Sequence, residues 1–198
     1  MTEWTTPPPV RPLQPEDAFA GIDATVLDFW RFAMSDLKTN NVRGYLAEFL
    51  VARAVGATGP RVEWDSFDVL SPEGIRIEVK SSAYVQSWAQ RRPSQITFSG
   101  LRGQRWTPQG GYSAESTYNA DVYVFAIHTA KSHDAYDPLD VSQWQFHVVT
   151  AETIATTNQR SIGVASLQRL AGAAVSWSEL GDAIRAVFPR PTPDGPRS

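Results

Sequence analysis

The chain has 198 residues, of which 42% are hydrophobic and 20% charged, with a formal net charge of −3 and no cysteine. This length suits one domain with a real core, and the lack of cysteine excludes a disulfide framework and a cysteine-ligated zinc site. No apolar run reaches the length of a membrane span, and the N-terminus lacks the basic-then-apolar pattern of a secretory signal, so a cytoplasmic location is the default expectation.

The first segments of the chain predict an extended arm and then a helix. Residues 1–15 contain five prolines and are expected to be disordered. Residues 23–34 read as a helix, because apolar side chains recur there at spacings of three and four: Val26, Phe29, Trp30 and Ala33. We expect this stripe to face the core, together with Trp144 and Trp177 farther along the chain.

A second helix is predicted over residues 42–55. Asn40 or Asn41 can cap its start, and Gly56 can end it in a left-handed turn. Glu48 stands beside the packing face of this helix, so its side chain can reach a neighbouring sheet.

Strands dominate the middle of the chain. Strand patterns occur at residues 61–70, 75–82, 95–99, 121–128 and 144–150, and short helical patterns at 151–156, 167–171 and 177–187. The polar stretch 100–119 is predicted to be a working loop, and the tail 189–198 to be disordered. Helices before and after a block of strands indicate an α/β fold, a mixed β-sheet flanked by helices, in one domain over residues 16–188.

The turn between the first two strands decides which charged side chains meet. A loop of residues 72–74 suits a type I turn followed by a left-handed glycine, and it places Asp68 opposite Glu78. Lys80 then shares their face, whereas Asp65 points to the other. Two facing carboxylates repel, which favours a cation between them, either Lys80 or a divalent ion with oxygen ligands. An exposed hairpin with an ordinary Glu–Lys pair would show the same spacing.

These residues resemble the PD-(D/E)XK nuclease superfamily, which has the restriction-endonuclease-like fold. Asp68 is similar to the first acid of its signature, the triplet 78–80 to its acid-x-lysine motif, and Glu48 to its helix glutamate. Phe67 stands where the signature has proline. The stretches IEVKSSAYVQSW and DVYVFAIH, the latter with the DPLDVSQWQFHVV that follows it, are also similar to an uncharacterised bacterial group of this superfamily.

The resemblance implies a magnesium-dependent endonuclease that hydrolyses phosphodiester bonds in DNA, with Mn²⁺ as a substitute for Mg²⁺. By this likeness Asp68, Glu78 and the backbone carbonyl of Val79 bind the metal, and Glu48 holds a second ion or a water on the metal. Lys80 orients the attacking water and stabilises the charge on the phosphate. The resemblance leaves RNA open as a substrate. It also leaves open a homodimer, which cutting both strands of a duplex would require.

A stretch rich in arginine and aromatic residues follows the triplet. Residues 80–120 hold five cationic side chains and one acidic side chain, and aromatic stacking with phosphate contacts binds nucleic acid without reading sequence. Contacts to nucleic acid are expected from Ser82, Gln86, Trp88, Arg91, Arg92, Arg102 and Arg105. The alternative is a solvated segment that happens to lack acids.

Two other functions fit the same residues. One is a catalytically inactive nucleic-acid-binding module of the same fold, acting in a defence or repair complex. The other is a protein-interaction domain whose acidic residues are only surface charge.

Overall fold

Helices precede and follow a block of strands, as the sequence predicts. In chain order the elements are α1 (Val26–Met34), α2 (Asn40–Val55), β1 (Val69–Leu70), β2 (Arg76–Ala83), β3 (Thr97–Ser99), β4 (Trp106–Thr107), β5 (Gly111–Tyr112), β6 (Val122–His128), β7 (Trp144–Thr150), α3 (Ala151–Ala155), β8 (Ser161–Gly163), α4 (Val164–Ala171) and α5 (Trp177–Val187). The chain is a single-domain α/β fold with a mixed sheet flanked by helices.

The computed structural model describes residues 8, 10–61, 66–104, 106–107 and 111–188. Several predictions fall outside these described residues: those for most of the N-terminal arm (residues 1–7 and 9), for the tail 189–198, for Asp65 and for Arg105. Among the described residues, no helix combines the length and the apolar content that a membrane span requires.

The central sheet has four strands in the order β1-β2-β6-β7. β2 pairs in parallel with β6, and the two outer pairings, β1 with β2 and β6 with β7, are antiparallel. All seven residues of β6 are buried, which its nearly continuous apolar sequence predicts for a strand covered on both faces.

Among the described residues, a large hydrophobic core lies on each face of this sheet. α2 and α5 cover the first face, where Ile77 and Val79 of β2 pack, and Trp144 and Trp177 join them as predicted. β3, β8 and α4 cover the second face. Because side chains alternate along a strand, the even-numbered residues of β2 are directed to this second face. The alternation of β2 therefore separates its apolar side chains from its charged ones.

The hairpin between β1 and β2 has the predicted three-residue loop. Val69 pairs with Ile77, a register that leaves residues 72–74 as the turn, and Gly74 has the left-handed φ of +85° that such a turn needs. β1 is only two residues long, so Asp68 lies directly before the ladder instead of within a long strand.

The ends of α2 agree with the sequence only in part. The helix begins at Asn40 with Thr39 as its N-cap, so the prediction that Asn40 or Asn41 caps it is wrong. Gly56 ends the helix with a φ of +73°, and its N–H donates to the carbonyl of Ala52. The predicted left-handed C-cap is confirmed.

The apolar stripe of α1 does not face the core. Phe29 is 50% exposed and Trp30 is 37% exposed, and Val26 is the buried residue of this helix. No residue of α1 belongs to the hydrophobic clusters of the described residues. The first turn of α1 is hydrogen-bonded to residues 15–17 instead, so the helix formed as predicted but its predicted packing is wrong.

A charged pair fixes the start of the β2–β6 pairing. Asp121 accepts hydrogen bonds from the backbone N–H of Arg76 at 2.9 Å and from its Nε at 3.0 Å. The side-chain bond above all holds the pKa of Asp121 below its usual value. The carboxylate form therefore stabilises the folded chain.

We expect Asp121→Asn to lower the free energy of unfolding at pH 7 by about 1 kcal/mol, a modest value because the guanidinium of Arg76 is partly exposed. The wild-type advantage should be complete above the unfolded pKa of about 3.9 and should disappear as the pH falls through the lower folded pKa. Urea unfolding of both proteins, from pH 7 down to the lowest pH at which they still fold, measures this difference in stability. If the difference in free energy of unfolding between the two proteins stayed constant with pH, the carboxylate of Asp121 would not stabilise the fold in the way described.

Candidate active site

Glu48, Asp68, Glu78 and Lys80 come from three separate elements and share one electrostatic neighbourhood. Glu48 lies on α2, Asp68 precedes β1, and the other two lie on β2. Asp68 and Glu78 line a polar cavity of about 210 Å³, which we call the acid cavity. Glu48 and Asp68 line a separate groove of about 380 Å³, which we call the outer groove. Asp68 therefore lies between the two cavities.

The carboxylate of Asp68 is held against β2. The backbone N–H of Val79 donates to Asp68 Oδ2 at 2.7 Å, which brings this carboxylate next to the residue that follows Glu78. The backbone of Val79, predicted to bind metal through its carbonyl, thus contacts Asp68 through its N–H.

Glu78 and Lys80 lie on the same face of β2, as the parity argument predicts. Lys80 Nζ donates to Glu78 Oε1, and both side chains are largely buried. Burial raises the pKa of Glu78 above its ordinary value, and the negative charge of Asp68 adds to this effect while Lys80 opposes it. A further cation in the acid cavity would relieve the same electrostatic stress.

Glu48 has a cationic partner that the sequence does not reveal. Arg61 Nε donates to Glu48 Oε2 at 2.5 Å, and the guanidinium lies 4.6 Å from the centre of the Tyr45 ring. Burial raises the pKa of Glu48, the charges of Asp68 and Glu78 raise it further, and Arg61 opposes them. Arg61 follows a Gly-Pro pair in an irregular segment, where no periodic pattern marks it.

The acids are close without forming a closed cage. In the part of the chain that the structure describes, no group of three or more Asp, Glu or His side chains is arranged to hold a metal ion. The predicted helix glutamate, Glu48, is paired with Arg61 and lines the outer groove, whereas Asp68 and Glu78 together line the acid cavity.

A loop after β3 forms a wall of the acid cavity. Gly100 has a φ of +68°, and a Cβ at this position would lie 3.9 Å from Lys80 Nζ. Tyr123, the neighbour of Glu78 on β6, donates its hydroxyl hydrogen to the carbonyl of Leu101 at 3.0 Å. Burial, with a contribution from Glu78, raises the pKa of Tyr123, so this hydroxyl stays protonated and holds the loop in place.

The structure does not bring Ser82 and Gln86 to the surface. Both are buried, and the Gln86 amide donates to the carbonyl of Ala83 at 2.8 Å and accepts from Arg43 at 3.3 Å. Ser82 is enclosed near the end of β2, and Gln86 uses its amide for contacts within the fold. Their predicted contact with a phosphate is not supported by this placement.

The predicted basic stretch is divided between separate places. Trp88 is 54% exposed, and Arg91 and Arg92 are exposed near the C-terminal end of β2. Arg102 lies elsewhere, where its guanidinium donates to the carbonyl of Ser116 at 2.7 and 3.0 Å. Of the described arginines of this stretch, Arg91 and Arg92 therefore keep the exposure expected of a basic face, whereas Arg102 serves the fold.

A comparison with protein families decides the class of this chain. The model of the family described as bacteriophage T4 endonuclease IV matches residues 30–166, more than two thirds of the chain. The chain belongs to the bacteriophage T4 endonuclease IV family. The matched region includes both β-strands of the charged hairpin and all four strands of the central sheet. Membership of this family therefore indicates that the chain is a nuclease. No curated protein was found to match the chain.

Proposed function

We propose that this protein is a divalent-metal-dependent DNA endonuclease of the restriction-endonuclease-like type. The observation that carries the proposal is that Asp68 and Glu78 line one polar cavity and Lys80 is paired with Glu78, in a chain that belongs to an endonuclease family. Glu48 lies within electrostatic reach of the same acids.

The donors present suit magnesium. Mg²⁺ in phosphoryl-transfer sites is bound by one or two carboxylates and completes its coordination with waters and phosphate oxygens. Asp68 and Glu78 supply this number of carboxylates at the acid cavity. We therefore assign these two as the metal ligands, with Mn²⁺ as a substitute ion. The Val79 carbonyl and Glu48 remain predicted additional donors.

The side chains of the acid cavity suit hydrolysis of a phosphodiester. A divalent cation, when bound, offsets the charge of the phosphoryl group and makes a water easier to deprotonate. Lys80 places a positive charge beside the same phosphate and orients the attacking water. Gln104 and Asn119 also line the cavity. Each amide donates one hydrogen to a backbone carbonyl and has a second hydrogen that can be donated to a phosphate oxygen. The Tyr123–Leu101 hydrogen bond keeps the loop that carries Gln104 in place.

DNA as the substrate, in preference to RNA, is part of the proposal and rests on the resemblance described above. Cutting both strands of a duplex at one place would require two active sites, so we propose a homodimer for that case only. One observation favours the inactive nucleic-acid-binding alternative: Glu48 and Glu78 are already paired with Arg61 and Lys80, as they could be in a domain without turnover.

Metal-dependent cleavage tests the proposal. Supercoiled plasmid is incubated with the wild type in Mg²⁺, in Mn²⁺ and in EDTA, beside Lys80→Ala and the matched surface variant Arg169→Ala purified in the same way. We expect nicked or linear product with either metal, none in EDTA, none with Lys80→Ala, and full activity with Arg169→Ala.

Binding of fluorescent DNA, measured by anisotropy, completes this experiment. Lys80→Ala should still bind DNA, which separates catalysis from binding. A wild type that binds DNA but cleaves neither DNA nor RNA would overturn the endonuclease proposal in favour of the inactive module. A wild type that neither binds nor cleaves nucleic acid would favour the remaining hypothesis, a protein-interaction domain.

A further inference from the structure

A second polar cavity, of about 240 Å³, lies beyond the C-terminal end of β2. Arg91, Arg92, Lys131 and His133 line it, and we call it the basic pocket. Lys38 extends its charge, because Lys38 Nζ lies 3.5 Å from His133 Nδ1. The pocket combines residues from the segment after β2 with residues from the segment after β6, so the sequence does not show it as one feature.

The cations of the basic pocket have no acidic partners. Among the residues that the structure describes, no ion pair within 4 Å joins Lys38, Arg91, Arg92 or Lys131 to a carboxylate. Other cations of the fold are paired, as Arg76 is with Asp121. Positive charges gathered without counter-charges repel one another, and a site built in this way suits a polyanion.

The basic pocket and the acid cavity lie along the same strand. β2 carries Glu78 and Lys80 and ends at Ala83, and the ring of the next residue, Tyr84, lies 5.6 Å from Lys131 Nζ. Six residue steps of about 3.3 Å each separate Glu78 from Tyr84, a distance of about 20 Å.

The segment that follows connects the two sites a second time. The N–H of Ser94 donates to the carbonyl of Tyr84 at 2.8 Å, and the same segment reaches Lys80 at Gly100. A neighbouring cavity of about 570 Å³ shares Tyr84 and Lys131 with the basic pocket and extends to β3. One segment, residues 84–100, therefore runs from the basic pocket to the acid cavity.

From this geometry we infer that the basic pocket binds the phosphate backbone of the same DNA molecule that is cut at the acid cavity. This inference rests on the proposed function. The spacing of about 20 Å is roughly half of the 34 Å turn of duplex DNA, so the pocket holds phosphates some five or six base pairs from the scissile bond. Contacts of this kind set the position of the substrate and carry no sequence information.

Charge reversal with a charge-matched control tests the binding. Arg91→Glu/Lys131→Glu is compared with Arg53→Glu/Arg169→Glu, whose two arginines are exposed on other surfaces. Affinity for a 30-base-pair duplex is measured in EDTA by anisotropy between 50 and 200 mM salt. We expect the basic-pocket variant to bind at least tenfold more weakly and to lose about 1.8 from its log–log salt slope, since each phosphate contact contributes about 0.9. The control should change the slope little.

A length series tests the spacing. Duplexes of 6 to 30 base pairs are cut by the wild type and by the milder variant Arg91→Gln/Lys131→Gln, with circular dichroism confirming that both are folded. Wild-type kcat/KM should rise once the duplex extends about half a turn beyond the cut, and the variant should lose this rise.

The outcomes separate the two proposals. If the wild type cuts DNA but the basic-pocket variants match their controls in affinity, salt slope and length dependence, the pocket is not a DNA site and the endonuclease proposal stands. If the wild type cuts nothing but its binding is lost selectively in the basic-pocket variant, the pocket is upheld and the endonuclease proposal fails. A wild type that binds no DNA overturns the inference.

Discussion

Replacing Glu78 by Gln is expected to reduce cleavage of DNA in Mg²⁺ about a thousandfold, which corresponds to about 4 kcal/mol of transition-state stabilisation. The substitution keeps the size of the side chain and removes one of the two carboxylates at the acid cavity. Asp68→Asn should have a similar effect, because an amide oxygen can still accept the hydrogen bond from Val79 but is a poor ligand for Mg²⁺. Single-turnover cleavage of a labelled duplex measures both.

The affinity of Glu78→Gln for DNA should not fall together with its cleavage activity. Glu78→Gln removes a negative charge from the acid cavity, where we propose that the phosphate binds, and leaves Lys80 without the partner Glu78. In EDTA we therefore expect the variant to bind DNA at least as tightly as the wild type. Weaker binding together with lost cleavage would show that Glu78 positions the substrate instead of the metal.

Glu48→Gln should be milder, with a loss of about tenfold, because Arg61 already offsets the charge of Glu48. Glu152→Gln, at an exposed position on α3, is the matched control and should retain full activity. Glu78→Gln that keeps more than a tenth of wild-type activity would remove Glu78 from the catalytic centre.

Stability separates a catalytic acid from a structural one. Burial raises the pKa of Glu78, so the ionised form of Glu78 lowers the free energy of unfolding. A neutral side chain of the same shape should leave the free energy of unfolding unchanged or higher, as is common for residues that serve activity. Urea unfolding of Glu78→Gln against the wild type checks this sign.

The parts of the fold that the sequence predicts are those fixed by short-range chemistry. The loop of residues 72–74 has the glycine that its turn demands, and this turn alone determines that Asp68 lies near Glu78. β6 is continuously apolar because both of its faces are covered. The bounds of β7 and α5 match their predicted ranges, because the periodicity of a strand or helix can be seen in consecutive residues.

The contacts that the sequence could not predict join distant segments. Arg61 contacts Glu48, and the backbone at Gly100 comes so close to Lys80 that an added Cβ would lie 3.9 Å from its Nζ. Arg61 and Gly100 both stand in irregular segments, so no pattern in the sequence predicts these approaches. The two basic segments that form the basic pocket lie about 40 residues apart. Periodicity also predicts that α1 is amphipathic, but it does not predict which surface the helix packs against. The expectation that Trp30 faces the core is therefore wrong, and Trp30 is exposed.

Helix spacing in the first core leads to the second large expected effect. Gly181 on α5 lies so close to α2 that a Cβ there would be 2.3 Å from the carbonyl oxygen of Ala54. Trp177 holds the same two helices together, since its Nε1 donates to the carbonyl of Leu50 at 2.9 Å. Because the obstacle is backbone, it can move only if the helices separate.

We expect Gly181→Ala to lower the free energy of unfolding by about 2–3 kcal/mol and the melting temperature by roughly 5–10 °C. The gain of about 1 kcal/mol in helix propensity offsets only part of the strain. The matched control is Gly44→Ala on α2, where no heavy atom lies within 4 Å of the added Cβ; it should stabilise the protein by about 0.5–1 kcal/mol. Since α2 carries Glu48, cleavage by Gly181→Ala at a temperature where it is folded should also fall. Equal stability of the two variants would mean that α2 and α5 are not in contact at Gly181.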